Sequence, residues 1–164
     1  MSATMQGVDA RTYLAGWLTG LVDMYSKDIR ALPADKWDAT HGGCTRPASE
    51  LTADAISLLD WTTDALNGNV RDDYGMDTIA AMKAKCSDPQ AAAAQLAASA
   101  DAFNAALAGA SDEALNSMVT PPWKMDAPLY ILAQIAVSHI WYHDGQLNYI
   151  QALLGDGEVH WMDA

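Results

Sequence analysis

The chain has 164 residues, 51% hydrophobic and 18% charged, which suits one globular domain with a full core and is short for two. Nine Lys and Arg against 21 Asp and Glu leave a formal charge of −12. That balance excludes nucleic acid and anionic membrane surfaces as partners, because both need Lys and Arg to replace counterions. No apolar run approaches the roughly 20 residues that cross a bilayer.

Met1 to Arg11 shows no basic segment followed by an apolar one, so no export signal is expected. Apolar residues then return every three or four positions from about Asp9 to Ala31, through Leu14, Leu18, Leu21, Tyr25 and Ile29. Pro33 ends this first helix. A second helix begins near Pro47 and runs through Leu51, Ala55, Leu58 and Trp61 to Leu66, with Asn67-Gly68 as its stop. A third opens on Asp88-Pro89 and continues to Gly109, its alanines offering a thin face for close helix approach. The fourth starts after Asp126, passes Leu132, Ile135, Ile140, Leu147 and Ile150, and stops at Gly155. Shorter helices are expected at Asp77–Lys85 and Ser111–Val119. No convincing strand is visible, and Val119–Met125, with Pro121-Pro122, reads as an irregular connector with room for a short extended piece. Four long amphipathic helices in one domain, residues 1–164, predict an all-α antiparallel four-helix bundle.

The informative residues are polar ones on apolar faces. On the fourth helix the core-facing stripe carries His139 and His143, one turn apart, with Gln146 at the next turn. Imidazoles at i and i+4 project from one face and can bind one ion; equally, they can be core histidines satisfied by a carbonyl or a tyrosine. On the second helix Asp54 lies between Leu51 and Leu58. A buried carboxylate must be paired, hydrogen-bonded or metal-bound, unless a small rotation leaves Asp54 at the solvent margin. Asp54, His139 and His143 together would form a three-ligand set with open positions, the pattern of a catalytic metal rather than a structural one.

Ser138–Trp161, with His139, His143, Gly145 and Gln146 in an HxxxHxGQ pattern followed by a Leu-rich run, resembles the last helix of the DinB-like (YfiT-like metal-dependent hydrolase) superfamily. Trp37, Arg46–Ile56 and Ser111–Leu115 fit the same layout, so the resemblance covers nearly the whole chain, although its sharp motif is the fourth helix. It implies a four-helix bundle holding a divalent ion on three histidines. The third of these belongs in a pattern like "E-hydrophobic-x-A-H", which here reads Glu50-Leu51-Thr52-Ala53-Asp54. Aspartate therefore stands where the family has histidine. This either supplies a carboxylate ligand, with lower Lewis acidity of the ion, or marks a member that has lost its metal.

His41, in the loop before the second helix, is the reserve third ligand or a plain loop histidine. Gln146 is a candidate for orienting His143. Tyr142 lies beside the site or fills a helix interface. Cys44 is a nucleophile near the site mouth or, better, a packing residue, and His160 belongs to the surface. Arg71–Gly75 reads as a solvated turn. Cys44 and Cys86 lie outside any CxxC pattern; a single disulfide stays open, but reduced thiols and a cytoplasmic location are expected.

The resemblance implies an enzyme in which a Zn, Ni, Fe or Mn ion activates water or a low-molecular-weight thiol against a small molecule, as a hydrolase or thiol transferase. Two nitrogens and a carboxylate also suit non-haem iron oxygen chemistry. Two other readings stand beside these. One is a bundle that binds a small molecule without catalysis; the other is a structural protein, such as a homodimer joined through helix faces, with Trp123 and Trp161 at a pocket or interface.

Overall fold

The computed structural model describes residues 9–162; most of the Met1–Arg11 stretch, expected to carry no export signal, lies outside the described residues. The helices are α1 (Ala10–Ala31), α2 (Ala48–Leu66), α3 (Met76–Lys85), α4 (Pro89–Gly109), α5 (Asp112–Asn116) and α6 (Leu129–Leu153), with two short strands, β1 (Met118–Val119) and β2 (Ala127–Pro128). Each long helix ends where local chemistry stops it. Asp9 and Asp88 cap α1 and α4 by accepting from the amides of Thr12 and Ala91. Gly68 and Gly155, beyond α2 and α6, take positive φ values of 84° and 89°.

In the bundle α1 packs on α4 and α6, and α2 packs on the same two helices, so α1 and α2 sit on a diagonal. The Nε of Arg11 at the start of α1 donates to the carbonyl of Ala110 at the end of α4, 3.1 Å away, so these neighbours run antiparallel. Asp28 near the end of α1 meets Asn148 and Gln151 near the end of α6, so that pair runs the same way. Leu51 near the start of α2 shares a cavity wall with Ile150 near the end of α6, so α2 runs antiparallel to α6 and parallel to α4. Parallel neighbours need a return along the bundle, and the 67–88 segment with α3, packed on α2, supplies it. The core between the four long helices is made of fully buried Leu18, Tyr25, Ile56, Trp61, Phe103, Ile140 and Leu147, among others. Ala92 and Ala93 present the thin face of α4 expected from its alanines.

Three local expectations change. The extended residues flank the 119–125 connector: Met118–Val119 pairs antiparallel with Ala127–Pro128, and the Leu129 amide donates to the Ser117 carbonyl at 3.0 Å. Strands of two residues carry no periodicity to read. They also shorten the helix expected at Ser111–Val119 to Asp112–Asn116 and delay the last helix to Leu129. Among the described residues no helix is long and apolar enough to cross a membrane.

Candidate metal centre

Asp54 lies in the first half of α2, whose residues are almost all buried because α4, α6 and α3 surround it. His139 and His143 face it from α6. Donor atoms of Asp54, His139 and His143 lie within 4.8 Å of one another, forming the cluster the sequence predicted. His143 Nε2 is 2.9 Å from His139 Nε2 and 3.5 Å from Asp54 Oδ2, while His139 Nε2 is 3.7 Å from Asp54 Oδ1. Donors about 2.0–2.2 Å from a shared ion stand about 3–3.5 Å from one another, so this triangle has the size of a coordination face.

The tautomer is suitable too. His143 Nδ1 donates to Gln146 Oε1 at 2.7 Å, and the Gln146 amide nitrogen donates to the Tyr142 hydroxyl at 3.1 Å. With Nδ1 protonated, the neutral ring of His143 presents a lone pair at Nε2. Burial pushes the His143 pKa down, and neighbouring His139 adds to this against the pull of Asp54, so the ring favours its neutral, ligating form. The donor set fits a divalent transition metal: two imidazoles, one carboxylate and open positions.

Two partners of Asp54 were not legible as site residues. Arg46, just before α2, donates from Nη1 to Asp54 Oδ2 at 2.8 Å and from Nε to Glu50 Oε1 at 2.7 Å. The Tyr74 hydroxyl donates to Asp54 Oδ1 at 2.6 Å. Burial opposes ionisation of Asp54, but the facing His139 and His143 rings and the hydrogen bonds from Tyr74 and Arg46 outweigh it and hold the carboxyl well below the usual range. Burial and the Asp54 carboxylate together push the Tyr74 hydroxyl up, so it stays a donor. The 71–75 stretch is thus more than a solvated turn. Tyr74 packs its ring on Trp123, which in turn packs on Trp61, and the Arg71 carbonyl accepts from the Trp61 indole at 3.0 Å.

A cavity of about 370 Å³ opens beside the cluster, bounded by Cys44, Arg46, Leu51, Tyr142, Gln146 and Tyr149 with Thr45, Gly145 and Ile150. Gln146 and Tyr142 both border it. His41 does not join the clustered donors; its amide donates to Thr45 Oγ1, and its Nε2 is buried without a partner. His160 pairs with Asp156 at 2.9 Å. Both cysteines are free thiols: Cys44 is exposed at the cavity mouth, and Cys86 is buried, which pushes its pKa up to about 11.

No family model matches the sequence, and no curated protein matches it. Among solved structures, the chain is similar to the mycothiol-dependent maleylpyruvate isomerase, with a TM-score of 0.62 and 14% identity. It is also similar to a histidine-to-alanine mutant of that isomerase, with a TM-score of 0.61 and 16% identity. In both cases 84% of this chain is covered and 60% of the other, so the chain spans less than two thirds of the length of the structures it matches. At such identity the likeness is one of fold. The molecule is an all-α helical bundle that shares its fold with that isomerase.

Proposed function

We propose that this chain with a DinB-like fold is a divalent-metal-dependent enzyme, using Asp54, His139 and His143 to hold a Zn, Ni, Fe or Mn ion beside a small-molecule cavity. The observation that carries this is the donor triangle, with a His–His separation of 2.9 Å and the Nε2 of His143 freed for ligation by Gln146. When bound, such an ion supplies Lewis acidity that lets water or a thiol act as a nucleophile near neutral pH. Gln146 keeps His143 in the ligating tautomer, Tyr74 orients the Asp54 carboxylate, and Leu51, Ile150 and the tyrosines give the cavity a largely apolar wall. The fold neighbours are described as mycothiol-dependent. This supports a low-molecular-weight thiol as the second reactant and thiol transfer as the reaction, with hydrolysis as the variant in which water takes that place. Two free thiols support a cytoplasmic location. The exposed rings of Tyr13 and Trp141, clustered through Trp17 on α1 and α6, support a homodimer.

The guanidinium on Asp54 favours a second reading, in which Arg46 replaces the ion and the bundle binds its ligand without catalysis. Elemental analysis of the untagged protein, after reconstitution with each metal, separates the two. The enzyme reading expects near-stoichiometric metal that is lost in Asp54→Ala and in the His139→Ala/His143→Ala double variant. It also expects turnover of thiol adducts or esters that chelation abolishes. A wild type that takes no metal overturns it in favour of the binding bundle.

A further inference from the structure

Arg46 occupies two sites at once. Its Nη1 rests on Asp54, the carboxylate of the donor triangle, and its Nε rests on Glu50, one helical turn away. Its side chain is 35% exposed and borders the 370 Å³ cavity, where it is the only charged residue in the lining. The remaining walls are apolar or neutral: Leu51 and Ile150, Tyr142 and Tyr149, Gln146 and Cys44. In a chain of net charge −12 this is a cation set against an uncharged pocket. As long as Asp54 accepts its hydrogen bond, however, the guanidinium is neutralised on both sides.

We infer that Arg46 is an exchangeable counter-ion: it leaves Asp54 when the carboxylate takes a divalent ion, pivots on Glu50, and recognises the anionic group of a small, largely apolar ligand in the cavity. The inference rests on the metal-site reading above and names the substrate class for it. Asp54 Oδ2 is the oxygen that accepts from Arg46 and also the one that lies 3.5 Å from His143 Nε2. An ion between the histidines and Asp54 would bring a double positive charge next to the guanidinium, and like charges at that range repel strongly in a partly buried site. Tyr74, a neutral donor on Oδ1, meets no such repulsion and stays. Glu50 keeps Arg46 anchored at the cavity wall, so the freed face of the guanidinium points to an anion rather than to bulk water. The two ligands are thereby coupled, each raising affinity for the other by the same factor.

The test uses zinc with benzoate, and with benzamide as the uncharged control, by calorimetry on the wild type, Arg46→Gln and Arg46→Lys. Zinc should tighten benzoate binding to the wild type by about tenfold, and benzoate should tighten zinc equally, with benzamide indifferent. Arg46→Gln removes the competing cation, so it should bind zinc about tenfold more tightly than wild type and lose the benzoate coupling; Arg46→Lys should keep part of it. Weaker zinc binding in Arg46→Gln would make Arg46 only a positioning residue for Asp54 and overturn the inference. Coupling that survives in Arg46→Gln would place the anion on the metal itself, with the same consequence. A wild type that binds zinc but shows no coupling sinks this inference alone, whereas one that binds no zinc sinks the metal reading together with it.

Discussion

His143 Nδ1 donates to Gln146 Oε1 across 2.7 Å, one turn along the same helix, and this bond decides which nitrogen of the ring faces Asp54 and His139. The Tyr142 hydroxyl holds the amide in that sense by accepting from its nitrogen. Gln146→Leu keeps the volume and removes the acceptor, so the imidazole is free to take the other tautomer. Metal affinity should fall by about 10- to 100-fold, the range for losing such an orienting partner, while the melting temperature of the metal-free protein changes little. Competition with a chromophoric chelator measures it; unchanged affinity would show that the backbone alone orients the ring.

The last helix made His139, His143 and Gln146 visible in the sequence because a 3.6-residue stripe tolerates few polar residues, and each of these interrupts it. Asp54 was visible for the same reason. Arg46 and Tyr74 were not, since both lie outside the helices, where no periodicity marks a side chain as facing inward. The spacing Arg46, Glu50, Asp54 does place a cation and two carboxylates at successive turns, and that ladder is the signal that was available. Tyr74 offered none: its burial depends on Trp123 arriving from a connector almost fifty residues away. The four long helices were legible apart from the start of the last, whereas the two-residue strands depend on a contact between segments that local sequence does not encode.

A second buried cluster joins α1 to α6. Asp28 and Asp144 are both buried, and the side-chain amide of Asn148 donates to Asp28 Oδ2 at 3.0 Å and to Asp144 Oδ1 at 3.3 Å. Burial, then the hydrogen bond and charge of Asp28, push the Asp144 carboxyl up to about 8. The unfolded chain releases that proton near pH 3.9. Between these values the unfolded state binds fewer protons than the folded one, so this pair makes stability fall as pH rises. His143 acts in the opposite sense. Its lowered pKa means that the unfolded chain alone takes up a proton as pH drops through about 6.5, and stability is lost towards acid. Asp144→Asn, measured by urea denaturation in chelator, should therefore gain on the wild type between pH 5 and 8, on the order of a few kcal/mol. A constant difference across that range would contradict the shared-proton arrangement.

Gly145 belongs to the motif of the last helix, yet nothing in the fold requires a glycine there. It is helical and exposed, its φ is unexceptional, and an added Cβ would meet no atom within 4 Å. Its one distinction is that it borders the cavity. Gly145→Ala should thus stabilise the protein by about 0.5–1 kcal/mol through the reduced freedom of the unfolded chain. Gly145→Phe should keep the fold and fill the cavity mouth, weakening any ligand bound there. Thermal melts and the benzoate titration read the two effects separately, and a destabilised Gly145→Ala would mean that the helix needs a glycine at this turn.

Trp61 and Trp123 connect the core to the loop that holds Asp54. Trp61 is fully buried on α2, Trp123 is 37% exposed in the connector, and their ring centroids are 5.2 Å apart. Trp61→Ala empties a large volume and leaves the Arg71 carbonyl without its indole donor, so a loss of about 3–5 kcal/mol is expected. Trp123→Ala removes a half-exposed ring and should cost less, about 1–2 kcal/mol, drawn from its contacts with Trp61 and Tyr74. Because both rings support one segment, the double variant should lose less than the sum of the single losses. Additive losses would show that the connector and the 71–75 loop are stabilised independently, and that Tyr74 reaches Asp54 without help from Trp123.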